Sequence, residues 1–287
     1  MKDFIQLIRP KQWIKNGFIF FPAFFASVDW EAALILKLVG GFVAYSIAAS
    51  AVYIMNDWFD APLDGLHPEK KNRPIASGRI GIERVGIMIL ALLTLSLLIS
   101  GLIVPKLAMY IVAYFGINVA YSAGLKNFPI LDVMVIAVGF ILRILCGGVI
   151  AEVPLSFWII IVTFFLALFL AFAKRRHDFI LFKDLGKITR KSISMYSMTM
   201  INIGIIFSSF ATLVFYFLYT ISPAVTGRIS EHLYITAIFV LGGLVRYYYL
   251  IFAKNLSGKP TQTLYKDVVL QLIIIAWIIT FAILIYA

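Results

Sequence analysis

The chain has 287 residues, of which 62% are hydrophobic and only 14% charged, with a net charge of +11 and a mean hydropathy of +0.97. So apolar a chain cannot keep a wetted surface around a core, which excludes an ordinary soluble domain and points to a membrane. The single cysteine, Cys146, excludes a disulfide framework and a thiolate metal site, and its place in an apolar run marks it as core filler.

The N-terminal stretch MKDFIQLIRPKQWIKNGF is charged and aromatic and has no small-residue cleavage site behind a short apolar core, so no removable signal peptide is expected. Apolar stretches follow near 13–28, 33–55, 84–104, 107–124, 129–151, 154–174, 198–220, 232–253 and 267–286. Each approaches the ~20 residues a helix needs to cross about 30 Å of hydrocarbon; the first is short and interrupted by Pro22. The expectation is an all-α integral membrane protein of nine transmembrane helices, a single domain over residues 1–287, with no linker, low-complexity segment or clear internal repeat.

The distribution of Lys and Arg orients the spans, because cytoplasmic loops hold the excess of both. With a cytoplasmic N-terminus that side receives Lys2, Arg9, Lys11, Lys15, Lys70, Lys71, Arg73, Arg79, Arg84 and Lys126. It also receives Lys174, Arg175, Arg176, Lys183, Lys187, Arg190, Lys191, Lys254, Lys259 and Lys266, while the other side keeps Lys37, Lys106 and Arg228. Topology therefore accounts for the basic balance, and no nucleic-acid partner is expected, since the bases are spread among loops with no separate basic domain. The long polar loops, 56–83 and 174–197, are both cytoplasmic, which puts the candidate chemistry on that face.

The first of these loops opens with Asn56, Asp57, Asp60 and Asp64. If the second span continues as a helix, intervals of three and four place the three carboxylates on one face. They repel one another unless a cation lies between them. An all-oxygen donor set with no His or Cys at ligand spacing favours Mg²⁺ over zinc. The competing reading is a solvated acidic loop end whose charges pair with Lys70, Lys71 and Arg73. The following HPEKKNRPIASG turns bases toward the acids, an arrangement suited to a magnesium diphosphate: carboxylates take the metal, and Lys70 and Arg73 take phosphate oxygens.

Asn56, Asp57, Asp60 and Asp64 followed by HPEKKNRPIASG resemble the first signature of the UbiA superfamily of intramembrane prenyltransferases. The resemblance extends over the whole chain and implies nine transmembrane helices around a central cavity, with polar motifs on the cytoplasmic side of a prokaryotic plasma membrane. RPKQWIKN at 9–16, YSAGLKNFPILDV at 121–133, GFILRILCGGVIAE at 139–152 and FLALFLAFAKRRHDF at 165–179 are similar to the decaprenyl-phosphate phosphoribosyltransferase branch. That branch uses phosphoribosyl diphosphate as donor and a polyprenyl phosphate as acceptor. Two positions depart from its pattern: Gly65 stands where a base is expected and Asp178 where relatives tend to have Glu.

Beyond the first loop, Lys126 and Asp132 bracket a turn broken by Asn127 and Pro129. Lys126 is suited to a phosphate, and Asp132 to a second metal position or to orienting Lys126; alternatively Lys126 is a topological anchor with Asp132 as its partner. Arg143, inside the fifth span and eleven residues after Asp132 on the same helical face, must find an anion, since an intramembrane Arg costs at least about 2.5 kcal/mol. Asp132 and a substrate phosphate are the two expected partners. Arg246, in the eighth span, is near enough to a helix end to snorkel, and structural and functional readings stay open. In AKRRHDF, Lys174 and Arg175 suit the second substrate's phosphate or serve as an anchor, and His177 reads as ordinary loop. Tyr121 and Tyr196 can hydrogen-bond substrate or sit at the membrane interface.

Acids gathered at a rim, and not at broken helices near the midplane, favour an enzyme over a transporter. The site expected from these readings places Asp57, Asp60 and Asp64 on Mg²⁺ and gives Asp57, Asp60, Lys126 and Asp132 catalytic roles. Substrate contacts are expected from Lys15, Asn56, Lys70, Arg73, Tyr121, Arg143, Lys174 and Arg175, with Lys15 and Arg73 facing a ribose phosphate. The surplus of cations favours phosphoribosyl transfer between two phosphorylated substrates; the alternative is prenyl transfer from a polyprenyl diphosphate to an aromatic acceptor.

Overall fold

The computed structural model describes residues 2–26, 28–66, 70–185, 191–227, 229–254 and 260–286. The loop cations Lys187, Arg190, Arg228 and Lys259, and the first three residues of HPEKKNRPIASG, lie outside the described residues. Every regular element among those described is a helix. Seven of them, Ala32–Asp64, Ile82–Ile103, Leu131–Ala151, Phe157–Asp184, Met198–Ile221, Leu233–Phe252 and Val268–Tyr286, are long and apolar enough to cross a membrane.

Two expected spans differ. Pro105–Ala123 is a 19-residue helix, but Tyr110, Tyr114, Asn118, Tyr121 and Ser122 leave it less apolar than the seven. The stretch expected to span at 13–28 is a 3-10 helix, Pro10–Phe20, followed by a short α-helix, Phe21–Phe25. At three residues per turn, Trp13, Asn16 and Ile19 fall on one edge of the 3-10 helix. Asn16 and Ile19 are buried, and Trp13 donates to Ser50 at 3.1 Å, so the segment docks by one edge.

The chain forms two compact units. The first, Met1–Pro154 with Lys187–Met195, contains α1 (Lys2–Ile8), the 3-10 helix, α2 (Phe21–Phe25), α3 (Ala32–Asp64), α4 (Ile82–Ile103), α5 (Pro105–Ala123), α6 (Leu131–Ala151) and α8 (Lys191–Met195). α3 packs against α1, α4, α5, α6 and the 3-10 helix, and Ala44, Ala48 and Ala49 along it are fully buried. Small residues let helices approach closely where no hydrophobic force separates protein from lipid. The tightest approach is at Gly147 of α6, where an added Cβ would lie 2.0 Å from the Ile19 carbonyl oxygen of the 3-10 helix.

With 33 residues, α3 is about 50 Å long against a hydrocarbon core of about 30 Å, so it is longer than one crossing needs, and its last turns are its most polar. Asn56, Asp57, Asp60 and Asp64 occupy those turns, as the acid spacing anticipates.

The second unit, Leu155–Gly186 with Tyr196–Ala287, contains α7 (Phe157–Leu185), α9 (Met198–Ile221), α10 (Pro223–Thr226), α11 (Ala237–Phe252), α12 (Pro260–Lys266) and α13 (Val268–Tyr286). Gly204 brings α9 onto α7, since a Cβ there would meet the Phe172 ring at 2.8 Å. Trp277 of α13 donates to the Tyr216 hydroxyl at 2.7 Å, which shares a 2.7 Å hydrogen bond with Thr236, so the buried polar groups of α9 and α13 satisfy one another.

Candidate active site

Four cations meet the three carboxylates at the end of α3. Arg73 places one nitrogen, Nη1, 2.8 Å from Asp57 Oδ1 and 2.6 Å from Asp64 Oδ2. Arg9 donates to the same Asp57 oxygen, Lys70 lies 3.8 Å from Asp64, and Lys126 donates to Asp60 at 2.5 Å. The competing reading of the acidic loop is therefore present in part, with Lys70 and Arg73 as ion-pair partners. Asn56 accepts from the Ser122 hydroxyl.

The backbone around these groups is held in uncommon conformations. Arg9 begins the 3-10 helix at φ 50 and Ile130 precedes α6 at φ 68. Positive φ is unfavourable for a side-chain-bearing residue, above all a β-branched one, and costs about 1–3 kcal/mol. Arg9 and Ile130 flank the carboxylates in the chain, one placing a guanidinium on Asp57 and the other ending the turn that carries Lys126.

Two expectations need correction. The carboxylate partner of Lys126 is Asp60, in the first motif. Asp132, fully buried in the first turn of α6, accepts from Ser192 of α8 at 3.3 Å. Arg143 cannot reach Asp132 either, because eleven residues of helix rise about 16 Å. Its partners are Asn16 Oδ1 at 2.8 Å, the Gly139 carbonyl at 2.7 Å and the Tyr114 hydroxyl at 3.5 Å, with Tyr45, Tyr114 and Phe140 rings around the guanidinium. Arg246, whose structural and functional readings stayed open, has a carboxylate partner. It grips both oxygens of Asp267, at 3.0 and 2.7 Å, and this bond holds the Asp267 carboxyl below the ordinary carboxylate range. Asp267 also accepts from the Leu270 amide, which makes it the cap of α13.

Tyr121 is buried on α5 and Lys15 is partly buried on the 3-10 helix. Lys174 and Arg175 lie on α7 of the second unit, where Arg175 donates to Asp178 at 2.9 Å, one turn on. The departure at Asp178 thus keeps a carboxylate within reach of a buried guanidinium. Cys146 is buried, as expected of core filler. Sequence reasoning assigned no carboxylate contact to Arg9 and no role to Ser122; the only local signal for Arg9 was its place at the head of RPKQWIKN.

The donor set fits a hard divalent cation by its chemistry: three carboxylates, one amide oxygen, no imidazole and no thiolate. Arg73 Nη1, in contact with two carboxylates at once, stands where a shared cation would be placed. With each carboxylate turned to a base, no three His, Cys, Asp or Glu side chains among the described residues are grouped to hold a metal.

A model of the UbiA prenyltransferase family matches residues 17–179, a segment that contains both polar motifs. A decaprenyl-phosphate phosphoribosyltransferase of Mycolicibacterium smegmatis is 32% identical over 98% of this chain and 92% of its own length. One of Mycobacterium tuberculosis is 31% identical over 96% and 92%. Among solved structures, a UbiA homolog from Archaeoglobus fulgidus bound to GPP and Mg²⁺ superposes with a TM-score of 0.72 at 18% identity, covering 98% of this chain and 99% of that one, a likeness of fold. From its full-length relatives, its helical fold and the family match across both motifs, the chain belongs to the UbiA prenyltransferase family.

Proposed function

We propose that the chain is one transmembrane transferase domain that moves the 5-phosphoribosyl group of phosphoribosyl diphosphate to a polyprenyl phosphate in the membrane and releases diphosphate. The observation that carries this reading is the excess of bases at the site. Arg9, Lys70, Arg73 and Lys126 meet Asp57, Asp60 and Asp64, and Lys15 and Arg143 add two more cations that have no carboxylate partner among the described residues. A donor with two phosphorylated positions and a phosphorylated acceptor call for that excess; a phenolic acceptor does not. The names of the two full-length relatives support the same substrates.

Asp57, Asp60 and Asp64 would hold Mg²⁺, which when bound neutralises the leaving diphosphate. Arg73, Lys70 and Arg9 already lie against those carboxylates and turn to the phosphate oxygens of the donor. Asn56, fixed by Ser122, and Tyr121 border the donor. The bond from ribose C1 to the diphosphate oxygen breaks with both electrons leaving on that oxygen. A phosphate oxygen of the acceptor, held by Lys126, then bonds to C1 from the opposite face, so the configuration at C1 inverts. Asp132 fixes the start of α6 and with it the turn that presents Lys126. Lys174 and Arg175, in the second unit, carry charge suited to a phosphate. The Lys and Arg distribution supports a cytoplasmic N-terminus, nine crossings and a site on the cytoplasmic side of a prokaryotic plasma membrane.

Purified protein incubated with Mg²⁺, phosphoribosyl diphosphate and a polyprenyl phosphate should yield a phosphoribosyl lipid by mass spectrometry, and EDTA should abolish it. Product formation at an unchanged rate in EDTA contradicts the assignment of the carboxylates.

A further inference from the structure

The acids are the outer end of a longer polar stripe. Ser46, Ser50, Tyr53, Asp57, Asp60 and Asp64 follow one another along α3 at intervals of four and three and share one face. The 3-10 helix lies along the inner part of this stripe, where Asn16 donates to Ser46 at 2.9 Å and Trp13 to Ser50. That docking sets Asn16, the chain neighbour of Lys15, on the Arg143 guanidinium at 2.8 Å, and Lys15 is within electrostatic reach of Arg143.

Three features there are not accounted for by packing. Arg143 is only 5% exposed, and its partners are all neutral: an amide, a carbonyl, a hydroxyl and aromatic rings. Lys15 adds a second positive charge nearby and has no hydrogen bond or ion pair among the described residues, although like charges in low dielectric repel strongly. The Tyr45 hydroxyl is fully buried with no hydrogen-bond partner, and the Tyr45 ring centroid lies 5.0 Å from the Arg143 guanidinium. Two cations without an anion and a buried donor without an acceptor are complementary to one kind of group, an oxyanion with several acceptor oxygens.

We propose that Arg143, Lys15 and the Tyr45 hydroxyl form a buried, metal-free subsite for a phosphate monoester, distinct from the carboxylates that take the diphosphate. The proposal rests on the reading of the chain as a transferase of phosphorylated substrates. A monoester carries about −1.5 to −2 charge, which matches two cations with no metal between them. Both substrates carry such a group: the 5-phosphate of the donor ribose and the phosphate of the polyprenyl acceptor. Arg143 is fixed by three hydrogen bonds, so Lys15 and Tyr45 are the members whose partners must come from a ligand.

The test is isothermal titration of the full chain in detergent with EDTA present, using ribose 5-phosphate and geranyl phosphate as separate probes. Wild type should bind at least one of them without metal. Lys15→Met and Tyr45→Phe should each weaken that binding about tenfold, the loss expected when a hydrogen bond to a charged group is removed. Asp60→Asn should leave it within about twofold while abolishing transfer. Tyr45→Phe should also unfold at the same or a higher temperature without ligand, since it removes an unsatisfied hydroxyl, and it keeps the test open if Lys15→Met fails to fold. Binding of ribose 5-phosphate assigns the subsite to the donor, and binding of geranyl phosphate alone assigns it to the acceptor. If the protein transfers no phosphoribosyl group yet binds geranyl phosphate with this dependence, the transferase reading fails and the subsite stands. Binding of neither probe in EDTA, or binding unaffected by both substitutions, overturns the subsite.

Discussion

Asp60 joins the two polar motifs because Lys126, 66 residues away in the chain, reaches it at 2.5 Å. If the pair acts as a unit at the reacting centre, Asp60→Asn and Lys126→Met should each lower the initial rate by at least about 100-fold, and the double substitution should be no worse than the more damaging single one. Initial rates with Mg²⁺ and phosphoribosyl diphosphate decide it; fully additive losses would mean that the two residues act separately. Arg73 invites a second comparison, since its Nη1 spans Asp57 and Asp64. Arg73→Glu should raise the KM for phosphoribosyl diphosphate far more than that for a plain prenyl diphosphate, and equal increases would remove Arg73 from the ribose side of the donor. The acids and Lys70 and Arg73 were legible in the sequence because the acids follow helical spacing and the two bases stand in the loop directly after them. Arg9 on Asp57 and Ser122 on Asn56 were not, because partners 48 and 66 residues apart are chosen by tertiary packing.

The N-terminal 3-10 helix is the element whose form hydropathy does not give. A window average registers its Phe and Ile residues as apolar length and carries no record of the period: the side made by Trp13, Asn16 and Ile19 repeats every third residue, and Asn16 is satisfied by Ser46 and Arg143. Gly147 is what lets this helix lie on α6. Gly147→Ala puts a methyl 2.0 Å from the Ile19 carbonyl oxygen and 2.9 Å from Pro22. It should destabilise the protein by about 1–3 kcal/mol, read as a lower unfolding temperature and faster proteolysis of the N-terminal segment. Gly116→Ala, with open space around the added methyl, should change neither, and equal behaviour of the two variants would contradict the docking. The long α3 is the converse case. Its continuation through the acids was readable from their spacing, because carboxylates at three and four share one helical face only if the helix runs on.

At the scale of the molecule, the proposed orientation rests on where Lys and Arg fall. The sole cysteine is buried, which makes introduced cysteines readable against a silent background. In sealed right-side-out vesicles, Lys106→Cys should react with a membrane-impermeant maleimide and Lys71→Cys only after permeabilisation; the reverse pattern would invert the topology. Composition was enough to place the chain in a membrane, and its seven most apolar helices follow directly from it. The less apolar α5 and the docked 3-10 helix show the limit, since average apolarity does not record which polar groups find partners inside the protein. The proposed chemistry is read from a different feature: acids and bases crowded at the end of α3 suit use by a charged ligand.

That use is tested most directly by competition between donors. Purified protein with Mg²⁺ is offered phosphoribosyl diphosphate with a polyprenyl phosphate and, in the same mixture, a prenyl diphosphate with 4-hydroxybenzoate, and the lipid products are resolved by mass. The account predicts the phosphoribosyl lipid as the product, with phosphoribosyl diphosphate consumed as diphosphate appears. Prenylated 4-hydroxybenzoate, with phosphoribosyl diphosphate neither consumed nor inhibitory, would contradict it.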